Sequence, residues 1–202
     1  LFTLGSISKT FVSNGILILQ EHGALSLNDS IYKYFNDFRY TAIARKVKII
    51  HLLSHTSGLP DNRGVASNTE FYLTAKDAEN FEPLKSTTQL NFEPGQNYEY
   101  SNPAFNGLAL IIEQTTGKPW QKFIEEKIFI PSGMKTSKIT DGDYPSAGVS
   151  HAYQHTDSGY VEDDYGEFPT FAASGNGGVW SSVIELAKYE TAIRNHVFLS
   201  EA

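Results

Sequence analysis

Ile16-Leu17-Ile18-Leu19, preceded by Lys9-Thr10-Phe11 and closed by His22-Gly23, reads as the heart of a buried helix. Gly23 supplies the left-handed stop that ends such a helix. The spacing predicts a helix over residues 6–21, with Gly5-Ser6-Ile7-Ser8-Lys9 at its mouth. Ser6 and Lys9 are three apart, so they share one helical face, and the amine can reach the hydroxyl and take its proton. The first turn of a helix also has unpaired N–H groups and a positive dipole end, which suit a developing oxyanion.

Ser-x-x-Lys alone is a weak signal. It occurs at Ser6/Lys9, Ser30/Lys33 and Ser132/Lys135, and Tyr-x-Asn occurs at Tyr34/Asn36 and Tyr100/Asn102. Context selects among them. Ser30 follows Asn28-Asp29, a helix-cap pattern. Ser132 stands between Pro131 and Gly133, a turn pattern. Ser6 alone opens an apolar helix. Tyr100-Ser101-Asn102 would bring a second base and an amide to the same pocket, and the combination points to serine acyl transfer. A lysine titrates near ~10.4, so Lys9 acts as a base only where burial or a nearby positive charge depresses it. Otherwise it acts electrostatically through a neighbouring base. The competing structural roles are a plain helix N-cap for Ser6, a solvated helix lysine for Lys9, a core phenol for Tyr100, and a cap near Pro103 for Asn102.

The surrounding strings carry a resemblance. Phe2-Thr3-Leu4-Gly5-Ser6-Ile7-Ser8-Lys9-Thr10-Phe11, Gly23-Ala24-Leu25-Ser26-Leu27-Asn28-Asp29-Ser30 and His51-Leu52-Leu53-Ser54-His55-Thr56-Ser57-Gly58-Leu59-Pro60 stand in order. They are followed by Glu93-Pro94-Gly95-Gln96, Tyr98-Glu99-Tyr100-Ser101-Asn102-Pro103, Ile130-Pro131-Ser132-Gly133-Met134 and Gly177-Gly178-Val179-Trp180-Ser181-Ser182. This succession resembles the class C β-lactamase and D-alanyl-D-alanine carboxypeptidase family, which includes penicillin-binding proteins and esterases. The resemblance implies Ser6 as nucleophile, Lys9 as its proton acceptor or relay and Tyr100 as second base and leaving-group relay. It implies that Asn102 binds the substrate's acyl-amide group and holds Lys9.

The resembled fold is α+β, a helical region beside an antiparallel sheet. Its strands come from before the nucleophile helix and from the C-terminal end. The expectation is therefore a single domain over residues 1–202, truncated at both ends, mainly α, with most of the sheet missing. The family's third motif, Lys-Thr-Gly or His-x-Gly, is not found at a suitable place. Lys135-Thr136-Ser137 is the nearest string and reads as surface. One donor of the oxyanion hole is expected from the Ser6 N–H, and the other from a strand beyond the third motif. The bare face left by a missing sheet predicts self-association.

Three functions stay open: a hydrolase of β-lactams, peptidoglycan peptides or esters; a penicillin- or peptidoglycan-binding module that acylates without turnover; and an inactive structural fragment. The partner is a small-molecule or peptide substrate, and the chemistry requires no cofactor or metal. A formal charge of −7, from 23 acidic against 16 basic residues, argues against nucleic acid. Apolar runs are too short for a membrane span. No secretory leader precedes the motif, and the resemblance favours a periplasmic or extracellular site.

Elsewhere, helices are expected at Asn28-Asp29 through Phe35, over 49–54, 75–85 and 104–115, from Pro119 towards Ile128, and over 182–195. Short strands are expected near 151–153 and 159–161. His51 and His55, four apart but with no zinc signature around them, read as structural turn residues. Gly175-Asn176-Gly177-Gly178 reads as a turn on the cleft floor. Tyr153, Phe168, Phe171 and Trp180 line a pocket or pack in the core.

Overall fold

The computed structural model describes residues 1–162 and 171–201. The chain opens with strand β1 (Phe2–Thr3), a 3-10 turn (Gly5–Ile7) and helix α1 (Ser8–Glu21). Short helices α2 (Thr41–Lys46), α3 (Ile49–Leu53) and α4 (Thr69–Thr74) follow, then α5 (Asp77–Lys85) and α6 (Asn102–Thr116). After them come α7 (Trp120–Ile124), a π turn (Glu125–Phe129) and α8 (Ile130–Ser132). Strand β2 (Lys138–Ile139), the hairpin β3 (Tyr153–Thr156) and β4 (Gly159–Glu162), helix α9 (Ser174–Gly177), strand β5 (Val179–Ser181) and helix α10 (Val183–Arg194) complete it. Phe168 lies outside the described residues.

Helix dominates, with small sheets beside it. A sheet is nonetheless present: β5 pairs antiparallel with β1 on one side and β2 on the other, with Phe2 opposite Ser181 and Lys138 opposite Trp180. With most of the sheet expected to be missing, the strands present here are short, β1 before the nucleophile helix with two residues and β5 before α10 with three. The short strands expected near 151–153 and 159–161 form as β3 and β4, which pair with each other as a hairpin.

The core forms where α1 crosses α6 and α7. Phe11, Val12 and Ile16 of α1 pack with Leu108, Ile111 and Ile112 of α6 and with Trp120 and Ile124 of α7, all fully buried. Burying each such aliphatic or aromatic side chain is worth about 1.5–3 kcal/mol relative to leaving it in water. Phe11 also stacks on Tyr189 of α10 at 4.2 Å between ring centroids, which ties the late helix to the early one. α5 meets α6 at Gly107, where a Cβ would lie 2.5 Å from the Phe81 ring. Only glycine permits that approach.

Several boundaries differ from the sequence expectation. α1 begins at Ser8, because Gly5 adopts φ +49 and Gly5–Ile7 wind as 3-10. The turn of residues 31–33 is capped by Ser30 Oγ accepting from the Tyr32 N–H, not by Asn28 or Asp29. α6 is capped by Ser101, whose Oγ accepts from the Ala104 N–H, and ends at left-handed Gly117. Pro119 stands at the N-cap of α7, one position before the expected first turn. Ser137 is buried rather than surface, because its N–H and hydroxyl donate to Glu185 of α10. Trp180 is buried in the sheet with its Nε1–H on Thr140, whereas Tyr153 stands exposed on the hairpin.

Candidate active site

Gly5 and Ser8 place Ser6. The left-handed Gly5 turns the chain out of β1, and Leu4 on its far side donates its N–H to the Val179 carbonyl at 2.8 Å. Two residues past Ser6, the buried Ser8 Oγ accepts from the Val179 N–H at 3.0 Å. One residue of the central strand therefore grips the chain on both sides of Ser6, which is left exposed between these clamps. Among the described residues no backbone carbonyl accepts the Ser6 N–H.

Lys9 is the second residue of α1, one turn along from Ser6, and is only 6% exposed. Its Nζ donates to Ser6 Oγ at 3.2 Å and to the Asn176 carbonyl at 2.8 Å. It also sits 5.1 Å from the Tyr100 ring centre and 5.7 Å from that of Phe105. Burial, aided by the positive Arg63, holds the Lys9 amine below the ordinary lysine range, against the opposing pull of Tyr100. The Tyr100 hydroxyl donates to Ser6 Oγ at 2.8 Å. Burial pushes the Tyr100 phenol up, but its hydrogen bonds to Lys9 and Ser6 and the lysine charge outweigh this and leave it below the usual phenol range. Both groups are thus held below their ordinary ranges, and because each shifts the other they titrate as a coupled pair.

Ser6, Lys9 and Tyr100 thus meet within hydrogen-bond reach. Asn102 stands half-buried in the first turn of α6, two residues beyond Tyr100. It takes neither of the two structural parts expected of it. Ser101 caps the helix, and the Lys9 ammonium is held by the Asn176 carbonyl instead.

A buried polar chain stands behind that carbonyl. Asn176 Nδ2 donates to Asn106 Oδ1 at 2.9 Å, and Asn106 Nδ2 donates to Asp77 Oδ1 at 2.6 Å. Asp77 also accepts from the Gly175 N–H at 2.8 Å and from Trp120 Nε1–H at 2.9 Å. Burial pushes the Asp77 carboxyl up to about 7, although these donors pull the other way. Arg63 is a second buried cation, held by both Asp61 oxygens at 2.8 and 2.6 Å and donating to Asn80 Oδ1 at 2.7 Å.

None of Asp77, Asn106 or Asn176 stood out as functional in the sequence. Asn106 is the one with a usable signal, an amide on the apolar face of α6. His55 is the expected turn residue, whereas His51 lies in helix α3; their Nδ1 atoms accept the backbone N–H of Ser101 and Lys48 respectively, each at 3.1 Å. Among the described residues no cluster of carboxylates and imidazoles is arranged to hold a metal, and no helix is long and apolar enough to cross a membrane.

The sequence is 30% identical over 214 residues to penicillin-binding protein 4* of Bacillus subtilis, covering 100% of this chain and 47% of that protein. It is 29% identical over 189 residues to the D-alanyl-D-alanine-carboxypeptidase/endopeptidase AmpH of Escherichia coli K12, covering 92% of this chain and 47% of that one. The chain spans about half the length of these curated relatives. Its structure resembles the D-amino acid amidase of Ochrobactrum anthropi SV3 with a TM-score of 0.81 at 25% identity, covering 99% of this chain and 57% of that one. The Beta-lactamase family model matches residues 1–202, and the chain therefore belongs to the β-lactamase family.

Proposed function

We propose that this chain carries the nucleophilic centre of a serine acyl-transfer enzyme. The single observation that carries the reading is Ser6 Oγ lying 3.2 Å from Lys9 Nζ and 2.8 Å from the Tyr100 hydroxyl. Ser6 gives its proton to the Lys9–Tyr100 pair as its Oγ attacks the substrate carbonyl. The oxyanion forms at the Ser6 N–H. On collapse, Tyr100 delivers the proton to the departing nitrogen or oxygen, leaving acyl-Ser6. Water then gives a proton to the Tyr100 phenolate as it attacks the acyl carbon, and that proton passes to Ser6 Oγ as the acid leaves. Asn102 binds the acyl-amide group of the substrate.

The substrate class is a β-lactam, a D-alanyl-D-alanine-type peptide, or a related amide or ester. The relatives' names support this: a penicillin-binding protein, a D-alanyl-D-alanine carboxypeptidase and a D-amino acid amidase. The Ser6 N–H supplies one oxyanion donor, and a second is expected from a strand beyond the third motif. Each such donor is worth about two to three orders of magnitude in turnover.

Incubation with a penicillin, followed by intact mass against a Ser6→Ala control, tests the reading. A transient adduct on Ser6 marks an enzyme, and a lasting one marks a binding module. An adduct unaffected by Ser6→Ala, or none in either protein, overturns it. The proposed partner surface for self-association is the face bearing Ile130, Val183 and Ile184, which are 65%, 77% and 68% exposed.

A further inference from the structure

His55 stands beside the proposed centre without touching Ser6. Its backbone is left-handed, φ +57, a conformation that few residues other than glycine, asparagine, aspartate and histidine hold. The turn it makes is stitched to the segment before α6. Its carbonyl accepts the Glu99 N–H at 2.9 Å, and the Thr56 carbonyl accepts the Gly95 N–H at 2.8 Å. From this anchored position the imidazole reaches forward. Nδ1 accepts the Ser101 N–H at 3.1 Å, and the ring lies 4.4 Å from Tyr100 and 5.1 Å from Phe105, with Tyr98 edge-on at 5.8 Å.

An atom that accepts from an N–H must present a lone pair. His55 is therefore the neutral tautomer with its proton on Nε2, and protonation at Nδ1 would set N–H against N–H. The groups facing the ring are Lys9 from α1, Tyr98 and Tyr100 from the segment before α6, and Phe105 from α6. None is a carboxylate that could steady an imidazolium. Burial, then the charge of Lys9, hold the imidazole below its ordinary range.

We propose that His55 is the positioning residue of Tyr100: neutral, it holds the Tyr100-Ser101-Asn102 segment against Ser6 and Lys9, and its protonation releases that segment. The proposal rests on the reading of Tyr100 as the proton carrier. It makes a turn histidine into a proton-sensitive latch on the acylation centre. A histidine that merely shaped the turn would couple its charge to neither the Ser101 amide nor the reaction.

Two variants separate these roles. His55→Asn keeps an oxygen able to accept the Ser101 N–H and tolerates the left-handed backbone, but does not titrate. His55→Ala removes the acceptor. Amide NMR of the full chain against pH reads the latch directly. The wild-type Ser101 amide signal moves with His55 protonation, at a midpoint below about 6.5, and stays still in H55N. Penicillin acylation, read by intact mass from about pH 5 to about pH 9, supplies the second readout. The acid limb steepens from one proton to two in the wild type and keeps one in H55N, while H55A acylates about tenfold or more slowly at neutral pH. A Ser101 amide indifferent to His55 titration, an H55A rate equal to wild type, or a two-proton limb surviving in H55N overturns the proposal. If the wild type takes no Ser6-dependent adduct, the acyl-transfer reading fails. The amide titration still decides whether His55 controls the Tyr100 segment.

Discussion

Lys9 donates to the backbone carbonyl of Asn176 at 2.8 Å, across 167 residues of sequence. That carbonyl is presented by a four-residue helix, α9, whose own place depends on Asp77 and Asn106. The orientation of the candidate base is thus set by residues that touch no part of a substrate.

The depressed Lys9 amine predicts a pH-dependent stability. The unfolded lysine titrates near 10.5 and the folded one lower, so between the two the unfolded state binds more protons. Stability from this group is present above the unfolded value and is lost as pH falls through the folded one. Urea unfolding of the wild type and Lys9→Met at about pH 7 and about pH 9.5 will show the wild type gaining on the variant at the higher pH. An equal gap at both values would contradict the burial of a titrating amine.

Asp77→Ala leaves the Gly175, Asn106 and Trp120 N–H donors facing a hole. The expected loss is at least about 1–3 kcal/mol, the cost of leaving one buried neutral donor unsatisfied, and more where several stay unpaired. It will be read as a lower urea midpoint, together with slower acylation in the fraction that remains folded. A variant within experimental error of the wild type would show that the network is idle.

Gly107→Ala drives a methyl into the Phe81 ring, 2.5 Å away. The α5–α6 contact must open, at about 1–3 kcal/mol. Denaturant unfolding with an unchanged slope and a lower midpoint is the expected signature.

Light scattering checks the exposed face of α8 and α10. The wild type is expected above monomer mass at high concentration, and Ile184→Glu, which sets a charge on the exposed side of α10 next in sequence to Val183, is expected to return it towards monomer. A wild type that stays monomeric would remove the case for that contact.

The meeting of three side chains was legible where a motif carries them. Ser6, Lys9 and Tyr100 were identifiable from spacing and flanking strings, and α1 and α6 from their apolar periods. α4 was not, because none of its residues is buried and so no period exists to read. β1 and β2 are two residues long, too short for alternation to register. Asn176 contributes a carbonyl, which every residue owns, so no residue type announces it. Asp77 resembles any acidic residue at a helix start. Its burial follows from the arrival of α6, α7 and α9 from distant parts of the chain.

Val179 donates to Ser8 and accepts from Leu4, so a segment near the C-terminal end holds the chain to either side of Ser6. Fraying of β5 would release both grips together. Counting reactive serines in a preparation would therefore count chains whose two ends have found each other, and a covalent probe aimed at Ser6 would serve as an assay of folding.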